Sequence, residues 1–205
     1  PTAYLMDDNM LHLHETGQEH AFLAPGTALH GNIVGQIAGA DACIGYSDPL
    51  VDDLRERNPR TLRLQTNIPS KYVHDRPHQR GGKTRFAVLS GSVRKGVLGM
   101  LWPSIAQFAS EYRDRVAFHF WGIDPAGYEP LACEVDFRPF THSYAQYLSA
   151  LSQTSFDVLL VPLDDSTRAA RSKSPVKFLE GVAAAAVSIF TDCLPYQDIP
   201  EDCCI

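Results

Sequence analysis

The clearest pattern of apolar and polar positions lies in residues 157–192, DVLLVPLDDSTRAARSKSPVKFLEGVAAAAVSIFTD. A short apolar run of strand-forming residues (157–163) gives way to a polar stretch, then to helical spacing, then to a second apolar run at 187–192. Two buried strands joined by a helix predict a βαβ unit with both strands parallel in one sheet. A second unit opens at Arg85, with a strand at 86–89 and a small-residue turn at 90–96. Val97, Leu98, Leu101, Ile105 and Phe108 then fall at helical spacing up to Tyr112. Residues 116–121 and 135–140 read as further strands, and 143–153 as a helix whose packing face is Tyr144, Tyr147, Leu148 and Leu151. Both tyrosines are read as core, and His119 as a packed strand residue.

Earlier in the chain the elements are shorter. Residues 1–6 form a strand running into Asp7, Asp8 and Asn9, and an opening inside a strand predicts a piece of a longer protein. Residues 24–39, with several glycines and a proline, suggest no element. A strand at 40–47 leads to a helix at 48–57, with Asp48 as cap and Pro49 at its first position, ended by Asn58-Pro59. Residues 61–65 alternate as a strand, and 70–84, polar with prolines and Gly81-Gly82, read as a linker. Strands alternating with helices predict an α/β fold with a mainly parallel, Rossmann-like sheet.

Composition narrows the classes. At 205 residues, 44% hydrophobic and 20% charged, the chain suits one large globular domain or two small ones. No apolar run reaches membrane-spanning length and no signal-peptide pattern opens the chain. Five irregularly spaced cysteines, Cys43, Cys133, Cys193, Cys203 and Cys204, argue for reduced thiols in a cytoplasmic protein. A net charge of -6 and a pI near 5.7 argue against general nucleic-acid binding, so basic clusters mark local sites. His12, His14 and His20 with Asp7, Asp8 and Glu15 lack zinc spacing and read as a surface cluster, so no metal is expected.

Candidate chemistry concentrates in two turns. Arg168, Arg171, Lys173 and Lys177 fall within ten positions, and Ser174-Pro175 opens a helix with a capping serine and a first-turn proline. Backbone N–H groups at a helix start, with the positive end of the dipole, hold anions. The turn at 90–96 offers Gly91, Ser92, Arg94 and Lys95 after a strand, where backbone approaches an anion closely. Both turns follow strands, so both occupy the carboxyl edge of the sheet, an arrangement suited to a diphosphate. Glu180, two turns into its helix, is placed to hold a sugar hydroxyl.

The stretch RSKSPVKFLEGVAAAAVSIFTDCLPY resembles the donor-binding signature of retaining nucleotide-sugar glycosyltransferases with two Rossmann-like domains, the GT-B fold. Lys173, Ser174, Lys177, Glu180, Thr191, Asp192, Pro195 and Tyr196 carry the match; Ser172, Ala186 and Ser188 stand where the family more commonly has Glu, Gly and Pro. The resemblance implies that 1–69 is the end of an acceptor-side domain, 70–84 a linker and 85–205 the donor-binding domain. It implies that Lys173 and Lys177 stabilise the leaving diphosphate, that Ser174 and Arg171 join the donor site, and that Glu180 holds the ribose. Gly91, Ser92, Arg94 and Lys95 would face the diphosphate, and Thr141 and His142 the base. Asp8, at a strand end on the acceptor side, is a candidate general base. The implied activity is metal-independent, cofactor-free transfer of a sugar from a nucleotide-diphosphate sugar to a glycan or lipid-linked acceptor. The implied setting is cytoplasmic, with peripheral contact at the inner face of a membrane, and the isolated chain is expected to be an inactive fragment. The alternative is a non-catalytic nucleotide-binding or regulatory domain of the same fold. A small dehydrogenase is disfavoured, because no acidic ribose residue follows the first glycine turn at the required distance.

Overall fold

A computed structural model describes residues 1–73, 82–90 and 95–200, Lys95 as backbone only. By packing, the chain forms two compact units. Pro1–Asn67 with Asp164–Val176 and Asp192–Asp198 make the first; Ile68–Leu163 with Lys177–Thr191 and the segment from Ile199 make the second. The sequence reading placed all of 164–198 in the donor-side domain, whereas two pieces of it pack with the first unit.

The first unit is built on three short strands, β1 (Ala3–Leu5), β2 (Ala42–Gly45) and β3 (Thr61–Arg63), parallel and in that order. Tyr4, Cys43 and Thr61 share one row of the sheet. Cys43 joins Ile37, Leu50 and Leu54 in the core beneath it. Two helices supply that cover, α1 (Ala28–Gly39) and α2 (Asp48–Arg55). The glycine-rich sequence did not suggest α1. It forms because the Thr27 side chain accepts from His30 N and because Ile33 and Ile37, one turn apart, are both buried. In α2 the cap is Ser47 rather than Asp48; its hydroxyl accepts from Leu50 N, so Pro49 sits in the second helical position.

The second unit holds β4 (Thr84–Leu89), β5 (Val116–Trp121), β6 (Glu134–Arg138), β7 (Val158–Val161) and β8 (Val187–Phe190). All neighbours are parallel, in the order β6-β5-β4-β7-β8. Strand order reverses beside β4, which makes its carboxyl end the switch point of a doubly wound sheet. The expected βαβ pairing of β7 with β8 is present, in register Val158 to Val187 through Val161 to Phe190. Two helices connect them instead of one: a single turn, α5 (Arg168–Arg171), and α6 (Val176–Ala183).

Alternation along β5 divides the side chains between the two faces. Val116, Phe118 and Phe120 pack with Leu98, Trp102, Ile105 and Ala109 of α3 (Lys95–Glu111). His119 and Trp121 turn to the other face, where their rings meet Phe156, and Trp121 meets Tyr147 of α4 (Tyr144–Gln153) edge-on at 6.3 Å. Gly181 lets α6 approach β8, since a Cβ there would lie 2.2 Å from Ser188 Oγ. No helix among the described residues is long and apolar enough to cross a membrane.

Candidate functional site

At the carboxyl ends of β4, β5 and β6 the second unit opens into a cavity of about 210 Å³. Its walls are the strand ends Leu89, Trp121 and Gly122, the turn 139–142, and two helices, α4 and α6. The floor is fixed by backbone bonds: Ser90 N donates to Trp121 O at 2.9 Å, and Gly122 N donates to Arg138 O at 2.8 Å. Gly122 has φ +80°, and a Cβ there would stand 2.3 Å from Ser90 O, so only glycine closes this floor without a shift. Pro139 follows β6, and the turn through Thr141 and His142 delivers the chain to the Ser143 cap of α4.

Each helix contributes a pair of residues spaced i,i+3, hence side by side on one face. From α4 come Tyr144 and Tyr147, with ring centroids 5.9 Å apart; from α6 come Lys177 and Glu180. Glu180 is 2% exposed. Its Oε2 accepts from Lys177 Nζ at 2.6 Å and from Tyr147 OH at 2.6 Å, and Tyr144 OH stands 3.5 Å from Oε1. The Lys177 ammonium also lies 5.6 Å from the centroid of the Tyr147 ring. A buried carboxylate persists only with such compensation. The cavity therefore presents a cation, a held carboxylate and aromatic walls at the sheet edge where α/β folds bind ligands. Tyr144, 48% exposed, is thus a cavity wall, and Tyr147 a wall and a hydrogen-bond donor to Glu180, rather than the core residues that their spacing suggested.

A second polar cluster belongs to the first unit. Asn9, at the end of the β1 turn, is buried and donates to Asp53 Oδ2 at 2.7 Å and to Ser172 Oγ at 2.9 Å. Arg168 clasps the buried Asp53 carboxylate with two donors, Nε at 3.1 Å and a terminal nitrogen at 2.8 Å. The Asp53 hydrogen bond pushes the Arg168 guanidinium above its ordinary range. Arg168 N donates to Glu15 Oε2 at 2.7 Å, and His12 Nδ1 lies 2.7 Å from Glu15 Oε1. Desolvation pulls the Glu15 carboxyl up, but these bonds outweigh it and leave the group below its ordinary value. Arg171 donates to the carbonyls of Asp165 and Ser166, and Lys173 Nζ meets Asp8 Oδ1 at 2.6 Å.

The residues singled out in the sequence thus separate. Thr141, His142, Lys177 and Glu180 converge on one cavity of the second unit. Asp8, Arg171, Lys173 and the buried Ser174 lie in the first unit. Asp8 and Lys173 are each other's partner, and while paired they offer an anion no net charge. Gly91, Ser92, Arg94 and the Lys95 side chain lie outside the described residues. The sequence reading did not find Tyr144, Tyr147, Asn9 or Asp53. One signal was available for Asp53, a charge beside Leu50 and Leu54 on the buried face of α2.

No family model matches the chain, and no curated protein matches it. Solved structures do. The structure of TarM aligns at TM-score 0.59 and 12% identity over 98% of this chain and 38% of that one. A variant of TarM from S. aureus, in complex with fondaparinux, alpha-GlcNAc-glycerol and UDP, aligns at TM-score 0.56 and 12% identity over 93% and 36%. WaaG, a glycosyltransferase involved in lipopolysaccharide biosynthesis, aligns at TM-score 0.64 and 14% identity over 96% and 58%. The chain has the GT-B glycosyltransferase fold. The Rossmann-like parallel sheets expected from the strand and helix pattern are those of the GT-B fold. The chain spans between 36% and 58% of the length of these GT-B structures.

Proposed function

We propose that the cavity at the ends of β4, β5 and β6 binds the nucleoside diphosphate part of a nucleotide-sugar donor, for retaining, metal-independent glycosyl transfer. The observation that carries this reading is the pairing of Lys177 with the buried Glu180 inside an aromatic-walled cavity at the switch-point edge. In the transfer step the bond from the anomeric carbon to the diphosphate oxygen breaks, with its electron pair leaving on the diphosphate. The acceptor hydroxyl oxygen bonds to that carbon, and its proton passes to a leaving phosphate oxygen. Fixed positive charge near the leaving group stabilises what develops there. Lys177, in the wall of the cavity, is the candidate to supply it. Glu180 would accept from the ribose, and the turn at Thr141 and His142 would meet the base. The UDP bound to the TarM variant favours a nucleotide-diphosphate donor, and the lipopolysaccharide role of WaaG favours a glycan or lipid-linked acceptor.

Titration of the protein with UDP, GDP and ADP, each beside its nucleoside, tests the reading. Lys177→Ala should weaken the bound diphosphate by about tenfold or more, the worth of a charge-assisted contact, and weaken the nucleoside less, since the nucleoside loses only the hold on Glu180. Equal weakening of both would make the lysine structural. Absence of binding by all three diphosphates would remove the reading altogether.

A further inference from the structure

The two oxygens of Glu180 are not equivalent. Oε2 accepts two short bonds, from Lys177 Nζ and Tyr147 OH, both 2.6 Å. A carboxylate oxygen has about two lone-pair sites, so Oε2 is filled. Among the described residues Oε1 has a single contact, the Tyr144 hydroxyl at 3.5 Å, beyond the usual span of about 2.5–3.0 Å for an O–H···O bond. The two phenols also differ in setting. Tyr147 is half-buried, with its ring edge-on to Trp121 at 6.3 Å and the Lys177 ammonium over it. Tyr144 is 48% exposed at the start of α4.

We propose that Tyr147 is a positioning residue for ligand recognition. With Lys177 it locks Oε2 and so aims Oε1 at the cavity as the oxygen that reads a ligand hydroxyl. Tyr144 marks the place which that hydroxyl takes, and its phenol yields to the ligand. The proposal rests on the reading of this cavity as a nucleoside diphosphate site, and it assigns ribose selectivity to a tyrosine that never touches the ribose. The two tyrosines, alike in chemistry and three residues apart, acquire opposite roles: one holds the carboxylate still, the other competes with the ligand for it.

The test compares wild type, Tyr147→Phe and Tyr144→Phe. Calorimetry gives the affinity of whichever of UDP, GDP or ADP binds, and of its 2′-deoxy and 3′-deoxy forms; the readout is the larger of the two losses on removing a hydroxyl. Both variants keep the ring, so the contacts with Trp121 and between the tyrosines survive, and a thermal midpoint confirms folding. In wild type the loss should be about tenfold or more, since the hydroxyl bonds a carboxylate. Tyr147→Phe should shrink that ratio towards one by weakening the ribose form and sparing the deoxy form. Tyr144→Phe should keep the ratio and bind the ribose form at least as tightly. A Tyr147→Phe protein with the full ratio, or a Tyr144→Phe protein without it, overturns the proposal and leaves the diphosphate site standing. Failure of wild type to bind any of the three diphosphates removes the site and the proposal together.

Discussion

Ala185 leaves α6 with φ +53°, in the left-handed region where a Cβ crowds the next carbonyl. Its N–H donates to Val182 O at 3.1 Å, and Ala186 N donates to Gly181 O at 3.0 Å. Those are the two bonds of a Schellman end, whose left-handed position favours glycine. Alignment with the glycosyltransferase signature had pointed to Ala186 as the missing glycine; the backbone shows that the strained residue is its neighbour. Ala185→Gly should therefore stabilise the protein by about 1 kcal/mol, because it relieves a conformation that alanine resists. A urea midpoint above that of wild type, at unchanged slope, is the expected result. An equal or lower midpoint would mean that the greater freedom of glycine in the unfolded chain outweighs the relief. This detail was beyond local reading, because which residue turns left depends on where α6 stops.

Elements were legible in proportion to their periodicity. The strand at 116–121 was placed to the residue, since six apolar or aromatic positions in a row admit little else. Helix α1 was not, because Gly31, Gly35 and Gly39 mask a helix whose only strong signals are one cap and two isoleucines. The four cations of residues 168–177 were read as one anion site, yet each has a partner within the protein. Arg168 shows why: its partner Asp53 is 115 residues away, and no local pattern announces a bond of that span. Asp53 is buried, so deleting the Arg168 guanidinium leaves a carboxylate held, among the described residues, only by Asn9 and the more distant His12. Arg168→Ala should destabilise the protein by about 1–3 kcal/mol, the penalty for an under-satisfied buried group. Arg168→Lys should recover only part of this, because one ammonium cannot reproduce two forked donors. Chemical denaturation of the three proteins would measure it, and coincident curves for wild type and Arg168→Ala would show that the pair holds nothing.

For the whole molecule, the domain boundary drawn along the sequence and the one drawn by packing differ in kind. A linear reading divides at a linker and assigns everything beyond it to one side. Packing returns Asp164–Val176 to the first unit, where it supplies partners for groups that residues 1–67 bury and cannot satisfy alone. Asn9 would lose Ser172 Oγ, Asp53 would lose Arg168, and the Ser47 hydroxyl would lose the carbonyl of Ser172. A buried polar group without its partner costs about 1–3 kcal/mol, and three such losses consume much of the 5–15 kcal/mol that a domain has to lose. Residues 1–67 also have only a three-stranded sheet and two α-helices to set against that loss. Residues 1–67 produced alone should therefore fail to show a cooperative unfolding transition. Adding a peptide of residues 164–176 should restore one, with a midpoint that rises with peptide concentration by mass action. An Arg168→Ala peptide should do so only at higher concentration. If 1–67 melts cooperatively alone and its midpoint ignores the peptide, the returning segment is an ornament on a self-sufficient fold, and the linear boundary describes the molecule better than packing does.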